Sequence, residues 1–197
     1  MSTSKRAKRG SKSSITTPAK IILLSGPIGA GKSTVAAAYA ASATIPTAYI
    51  EGDTFWKHIA QNPGPHARPR QVVSRLVQKS MILAAIPYAR GGFETIVDFT
   101  TGPWLLPAFK PLVKDIPFDF VMLVPSKDVV RERANGRGLG AKHDQELYEA
   151  FDQAGEFERF TLRDDSADVE DIVRKLRERL EQGKYRLDFS TIPDKEG

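Results

Sequence analysis

The sequence predicts an α/β protein: a doubly wound parallel sheet of about five strands with helices on both faces. Three observations predict it. From Lys20 onward, short apolar runs alternate with longer segments of helical periodicity, the pattern of strands joined by crossover helices. The first run, Ile21-Ile-Leu-Leu24, is continuously apolar, as a central strand covered on both faces requires. A glycine-rich turn then joins that run directly to an alanine-rich helical stretch.

The elements follow in chain order. After the strand at 21–24 and the turn at 26–31 comes a helix over 33–43. Residues 47–50 read as a second strand, ending in Glu51-Gly52-Asp53, and residues 61–70 as an irregular proline-rich loop. A long helix over 71–89 carries apolar positions at Val72, Val73, Leu76, Val77 and Ile82. Residues 94–98 and 119–124 give the third and fourth strands, and 127–135 a helix. Glycines at 136, 138 and 140 predict a mobile stretch within a small lid over 131–145. A helix over 147–157 and a short fifth strand at 160–162 follow. The last helix, 168–182, has one apolar stripe (Val169, Ile172, Val173, Leu176, Leu180), with Ser166 to cap its start and Gly183 to end it.

At 197 residues the chain has room for one domain with a proper core. It divides into a basic tail at 1–19, a domain at 20–185 and a C-terminal tail at 186–197. The net charge of +5 belongs to the first tail. That tail holds Lys5, Arg6, Lys8, Arg9 and Lys12 and no acid; removing those five from 29 basic residues leaves 24, against 24 acidic. The body is formally neutral, which disfavours a nucleic-acid channel, and the tail has no interleaved aromatics for base stacking. Its composition predicts a disordered, solvated extension. No cysteine is present, so disulfides and thiolate metal sites are excluded and a reducing, cytoplasmic setting is expected. No apolar run reaches the length of a membrane span, and 21–24 is too short for a signal core.

The chemistry begins at Gly26-Pro27-Ile28-Gly29-Ala30-Gly31-Lys32-Ser33-Thr34, which fits G-x-x-x-x-G-K-[ST] in full. Glycines let successive backbone N–H groups turn inward on phosphate oxygens, and the following helix adds its positive end. In this pattern Lys32 reaches the β- and γ-phosphates and the Ser33 hydroxyl ligates Mg²⁺. A dinucleotide loop needs G-x-G-x-x-G, but after Gly29-Ala30-Gly31 the third glycine position is Thr34. The motif therefore marks a P-loop NTPase with ATP and Mg²⁺ as its cofactors. No Asn/Thr-Lys-x-Asp guanine-reading motif is visible, which tilts the base toward adenine.

Two aspartates stand at strand ends, where open α/β sheets bind ligands. Asp53 either accepts the proton of an attacking hydroxyl or caps a helix beginning near Phe55. Asp98 is placed as a Walker-B aspartate near Mg²⁺, with an ordinary strand-end carboxylate as the plainer reading. Arg131, Arg133 and Arg137 run into the glycine stretch, and Arg133 and Arg137 share a face. They form either lid arginines closing over the triphosphate or a solvated basic face. Phe55, Trp56, His58 and Trp104 lie toward the expected acceptor side, and Arg68 and Arg70 decorate the proline-rich loop. The three histidines show no metal-ligand spacing.

Gly26–Thr34, Glu51-Gly52-Asp53, Thr95-Ile-Val-Asp98, and Val124-Pro-Ser126 leading into Arg133 and Arg137 resemble the small P-loop kinases. These include chloramphenicol phosphotransferase, gluconate and shikimate kinases, polynucleotide kinase and the zeta toxins. The likeness is strongest to AAA-family ATPases with a chloramphenicol-phosphotransferase-like domain and spans about residues 20–182. It implies ATP-dependent phosphoryl transfer to the hydroxyl of a small molecule, with Asp53 as base and Arg133 and Arg137 as lid arginines. Trp56 and Lys57 stand where gluconate kinases carry His-Pro, so acceptor identity does not carry over. A polynucleotide 5′-hydroxyl kinase and an acceptor-free regulatory ATPase are the alternatives.

Overall fold

The computed structural model describes residues 19–61, 69–134 and 141–194. Five parallel strands form one sheet in the order β2-β3-β1-β4-β5. They are β1 (Ile21–Ser25), β2 (Thr47–Glu51), β3 (Glu94–Asp98), β4 (Phe118–Leu123) and β5 (Thr161–Leu162). Every residue of β1, β3 and β4 is buried, the environment that selects continuous apolar runs.

The helices are α1 (Lys32–Ala41), α2 (Arg70–Arg90), α3 (Lys110–Val113), α4 (Lys127–Ala134), α5 (Ala141–Asp152) and α6 (Val169–Glu181). The chain leaves β1 in one direction for β2 and returns in the other for β3 and β4. Right-handed crossovers therefore place α1 and α2 on opposite faces. Accordingly α1 packs against α6, and α2 against α3. Strand order reverses at β1, so the glycine loop that follows β1 lies at the switch point where ligands bind. Among the described residues, no helix is long and apolar enough to cross a membrane.

Several local expectations are corrected. Asp168, not Ser166, caps α6 by accepting from Glu170 N at 2.9 Å, while the Ser166 hydroxyl accepts from Asp168 N. The helix expected over 147–157 is instead α5 ending at Asp152, then a 3-10 turn at Gly155–Phe160, because Gly155 takes φ +55° between them. On α2 the sheet-facing stripe is Val73, Val77, Met81, Ala85 and Ala89, whereas Val72 and Leu76 point outward, 45% and 54% exposed. The segment after α6, expected as a tail from 186, pairs antiparallel with the amino half of β4, which the two-residue β5 leaves uncovered. Leu187 and Ile192 thereby enter the core.

The amino edge of the sheet is held by a charge cluster. Asp119, fully buried, accepts from Arg186 Nε at 2.6 Å and has Lys20 Nζ 3.4 Å from its other oxygen. Lys20 also pairs with Glu94 at 3.2 Å, and Glu94 accepts from the Tyr39 hydroxyl. Removing a buried partner leaves the remaining charges uncompensated. Asp119→Ala is expected to cost about 2 kcal/mol, a value below the usual buried-pair loss because Arg186 is half exposed. Thermal unfolding should shift down by roughly 4–8 °C, while ATP affinity at the opposite edge stays within twofold.

Candidate active site

The carboxyl edge of the sheet gathers the loop, both aspartates and one arginine. Immediately after Ser25, Gly26 adopts φ +140°, and a Cβ there would sit 2.1 Å from the Leu123 carbonyl oxygen. The loop thus presses its backbone on the end of β4, which a side chain forbids. Gly31 takes φ +92° and leads straight into α1, whose first turn has neither an acid nor a side-chain cap. The leading N–H groups of α1 are left for an anion. Lys32 Nζ donates to the Pro27 carbonyl at 2.9 Å, folding across the loop it follows.

Ser33 and Asp98 meet directly. The Ser33 hydroxyl donates to Asp98 Oδ2 at 2.5 Å, although the residues are 65 apart in sequence. The Tyr49 hydroxyl donates to Asp98 Oδ1 at 3.2 Å. Burial, and then the neighbouring Asp98 charge, hold the Tyr49 phenol well above the ordinary tyrosine range, so it remains a donor at any working pH. One hydroxyl and one carboxylate fit the habit of Mg²⁺, which takes few protein ligands and completes its shell with phosphate and water. No cluster of three or more His, Asp or Glu occurs among the described residues, so a denser, all-protein cation cage is not built there.

Asp53 lies two residues past β2, in a 3-10 turn at Gly52–His58. Glu51 and Asp98 are register partners, and a Cβ on Gly52 would stand 2.4 Å from the Asp98 carbonyl oxygen. That contact seats the start of the turn on the end of β3. The Asp53 side chain is exposed and makes no hydrogen bond or ion pair among the described residues. It does not cap the turn; Thr54 instead donates to the Glu51 carbonyl at 2.6 Å.

Arg133 reaches the loop from α4. Its Nη1 donates to the Ala30 carbonyl at 3.4 Å and its Nη2 to the Ser166 carbonyl at 3.2 Å. It therefore ties the phosphate loop to the turn between β5 and α6. That turn is itself braced, because Asp165 accepts from Ser126 N at 2.6 Å and Asp164 pairs with Lys175 at 2.7 Å. Arg131 is exposed on α4. Arg137, the centre of the expected lid and Arg68 lie outside the described residues.

Of the aromatics, Phe55 and Trp56 are half-buried beside Asp53, and the Arg70 guanidinium stands 5.7 Å over the Trp56 ring. His58 is exposed and meets Phe55 edge-on. Trp104 lies on the segment after β3, 6.0 Å from Phe151 of α5.

Two features escaped the sequence. Tyr49 reads as an ordinary strand former, and only the register of β2 on β3 brings it to Asp98. The Ser25 hydroxyl donates to the Thr101 carbonyl at 2.6 Å and accepts from Thr101 N at 2.9 Å, pinning the segment after β3 beside the loop. Tyr49→Phe is expected to raise the Mg²⁺ concentration for half-maximal turnover about ten- to a hundredfold, the usual effect of losing an outer-shell hydrogen bond to a metal-ligating carboxylate. Metal-free nucleotide affinity should not change; an unaltered Mg²⁺ titration would remove Tyr49 from the site.

A family profile described as AAA domain matches residues 21–159. No curated protein matches the chain. Among solved structures, a sugar kinase from Janibacter sp. HTCC2649 aligns with TM-score 0.57 at 18% identity, covering 83% of this chain and 95% of the other. A shikimate kinase from Acinetobacter baumannii, in complex with shikimate, gives 0.61 at 17%, covering 86% and 96%. The APS kinase CysC of Mycobacterium tuberculosis, in complex with AMPPNP and APS, gives 0.61 at 18%, covering 83% and 98%. The shared architecture is the fold of the small P-loop kinases.

Proposed function

Because the chain belongs to the AAA domain family AAA_33, and its fold is that of small P-loop kinases, we propose that it transfers the γ-phosphoryl group of ATP to a hydroxyl of a small molecule. The observation that carries this reading is the meeting of three groups at one edge. The glycine loop, the Ser33–Asp98 pair and the Asp53 carboxylate, which makes no hydrogen bond or ion pair among the described residues, all sit at the ends of β1, β3 and β2. A nucleotide binder without an acceptor has no use for the third. The solved kinases of this fold include complexes with shikimate and with APS, which supports a small-molecule acceptor.

In this reading Gly26 to Thr34 cradle the phosphates through backbone N–H groups. Lys32 exchanges its bond to Pro27 for the β- and γ-phosphate oxygens. Ser33 and Asp98 would hold Mg²⁺, which would supply neutralisation of the phosphate charge. Asp53 takes the proton of the acceptor hydroxyl as its oxygen bonds to the γ-phosphorus, and the bond from that phosphorus to the β–γ bridging oxygen breaks to release ADP. Arg133, already on the loop, and Arg137 of the lid offset the charge of the transferring group. Positioning and electrostatics supply most of the acceleration, since phosphoryl transfer asks little covalent chemistry of a protein. A cysteine-free chain working on ATP suits the reducing cytoplasm.

The test is ADP release from Mg²⁺-ATP against aminoglycosides, phenicols, sugars, shikimate and 5′-hydroxyl oligonucleotides. Stimulation by a small-molecule alcohol is expected. Stimulation by oligonucleotides alone, or one basal rate with every compound, contradicts the proposal.

A further inference from the structure

Asp53 shares the turn Gly52–His58 with Phe55, Trp56 and His58, and a 3-10 helix eclipses residues three apart. Phe55 and His58 keep that spacing, and their rings meet edge-on at 5.4 Å. Asp53 and Trp56 have the same spacing, so the indole stands on the Asp53 side of the turn, about 6 Å further along its axis. The Asp53 end of this line lies toward the phosphate site. Burial first, and then the Asp98 charge, raise the Tyr49 phenol, and the Asp53 charge adds to both. Asp53 is therefore within electrostatic reach of the tyrosine that donates to the metal-side carboxylate. Helix α2 runs along the same turn. Met81 meets its start, the sulfur 2.7 Å from where a Gly52 Cβ would stand. Arg70 meets Trp56, its guanidinium 5.7 Å over the ring. These two residues are eleven apart, about three helical turns, and so share one face of α2.

Arg70 is badly placed for a cation that serves only the helix. It is the first residue of α2, where a positive charge opposes the helix dipole, and the first turn holds no acid to offset it. It is exposed and makes no hydrogen bond or ion pair among the described residues. The Trp56 ring holds the guanidinium by its face, which leaves its fork of N–H donors without an acceptor among those residues. Asp53 is likewise without a donor among them. A carboxylate and a guanidinium thus stand beside one indole and do not pair with each other.

Resting on the phosphotransferase reading, we propose that the acceptor is a small hydroxy acid whose anionic group is bound by Arg70, whose body lies against Trp56 and whose hydroxyl is presented to Asp53. The guanidinium fork matches a planar carboxylate with two parallel bonds. The bound anion also offsets the charge of Arg70 at the head of α2. The turn sets the length of the molecule, because hydroxyl and anion must stand about 6 Å apart, one turn of a 3-10 helix.

The probe is 4-(hydroxymethyl)benzoate, whose ring holds a hydroxyl and a carboxylate about that far apart. It is compared with neutral 4-(hydroxymethyl)benzamide and with glycolate, in which the two groups are adjacent. Binding is measured by calorimetry with Mg²⁺ and a non-hydrolysable ATP analogue present, so that it is independent of turnover. The benzoate is expected to bind at least tenfold tighter than either control, the scale of a hydrogen bond to a charged group. Arg70→Gln should remove that advantage while the analogue binds as before. Trp56→Phe, which keeps an aromatic face under the guanidinium, should retain it. Equal binding of the benzoate and either control, or binding of none of them, overturns the inference. So does an advantage that survives Arg70→Gln. A loss of analogue affinity in that variant as large as the loss of the benzoate assigns Arg70 to the nucleotide and overturns it too. In each case Asp53-dependent phosphorylation of some other alcohol leaves the kinase reading standing. Benzoate binding without transfer to any alcohol counts against that reading, and the inference falls with it.

Discussion

Asp53→Asn is expected to lower kcat for phosphoryl transfer by about 10²–10⁴-fold, the usual contribution of a positioned general base. The substitution keeps size and polarity but removes the proton acceptor. Because Asp53 is exposed and makes no hydrogen bond or ion pair among the described residues, it should leave the thermal midpoint within about 1 °C, as surface changes away from structural features do. Nucleotide affinity should be retained, since the loop and Ser33–Asp98 are untouched. Any slow ATP hydrolysis in the absence of acceptor should persist. Equal turnover in wild type and variant, measured at saturating acceptor, would remove Asp53 from the chemistry.

Gly26→Ala has the largest expected effect on the fold. The methyl group would meet the Leu123 carbonyl at 2.1 Å, backbone against backbone, at a φ of +140° that L-residues rarely adopt. Neither β1 nor β4 can retreat, because Leu24 and Ser25 are paired with Val121 and Met122 in the sheet. The cost is expected to be roughly 3 kcal/mol or more, combining backbone strain with displacement of a central strand. Nucleotide binding should be lost with it. Gly155→Ala is the control: φ is also positive, at +55°, but nothing lies within 4 Å of the added carbon. That variant should cost only about 1 kcal/mol. Equal stability of the two variants by denaturant unfolding would show that the Leu123 contact yields readily.

The strands and the phosphate loop were legible because their signals are local. Ile21 to Leu24 read as buried from composition alone, and residues 94–98 coincide with β3. Asp98 was legible for the same reason, as a carboxylate ending an apolar strand. Tyr49 was not, since its partner arises from strand pairing across 49 residues. Arg133 is expected from sequence as a lid arginine; its bonds to the Ala30 and Ser166 carbonyls, 103 and 33 residues away, come from tertiary packing that no local signal shows. The outward turn of Val72 and Leu76 was hidden because α2 is apolar on more than one side. The C-terminal strand pairing was missed because its polar sequence gains its place from the unpaired half of β4.

The central claim is that the γ-phosphorus leaves ATP for an alcohol oxygen rather than for water. Turnover in ¹⁸O-labelled water, followed by ³¹P resonance in the presence of the best acceptor, measures that partition directly. A phosphate monoester free of ¹⁸O, accumulating in step with ADP, is the predicted result. Inorganic phosphate carrying ¹⁸O as the sole product, with every alcohol supplied, would contradict it.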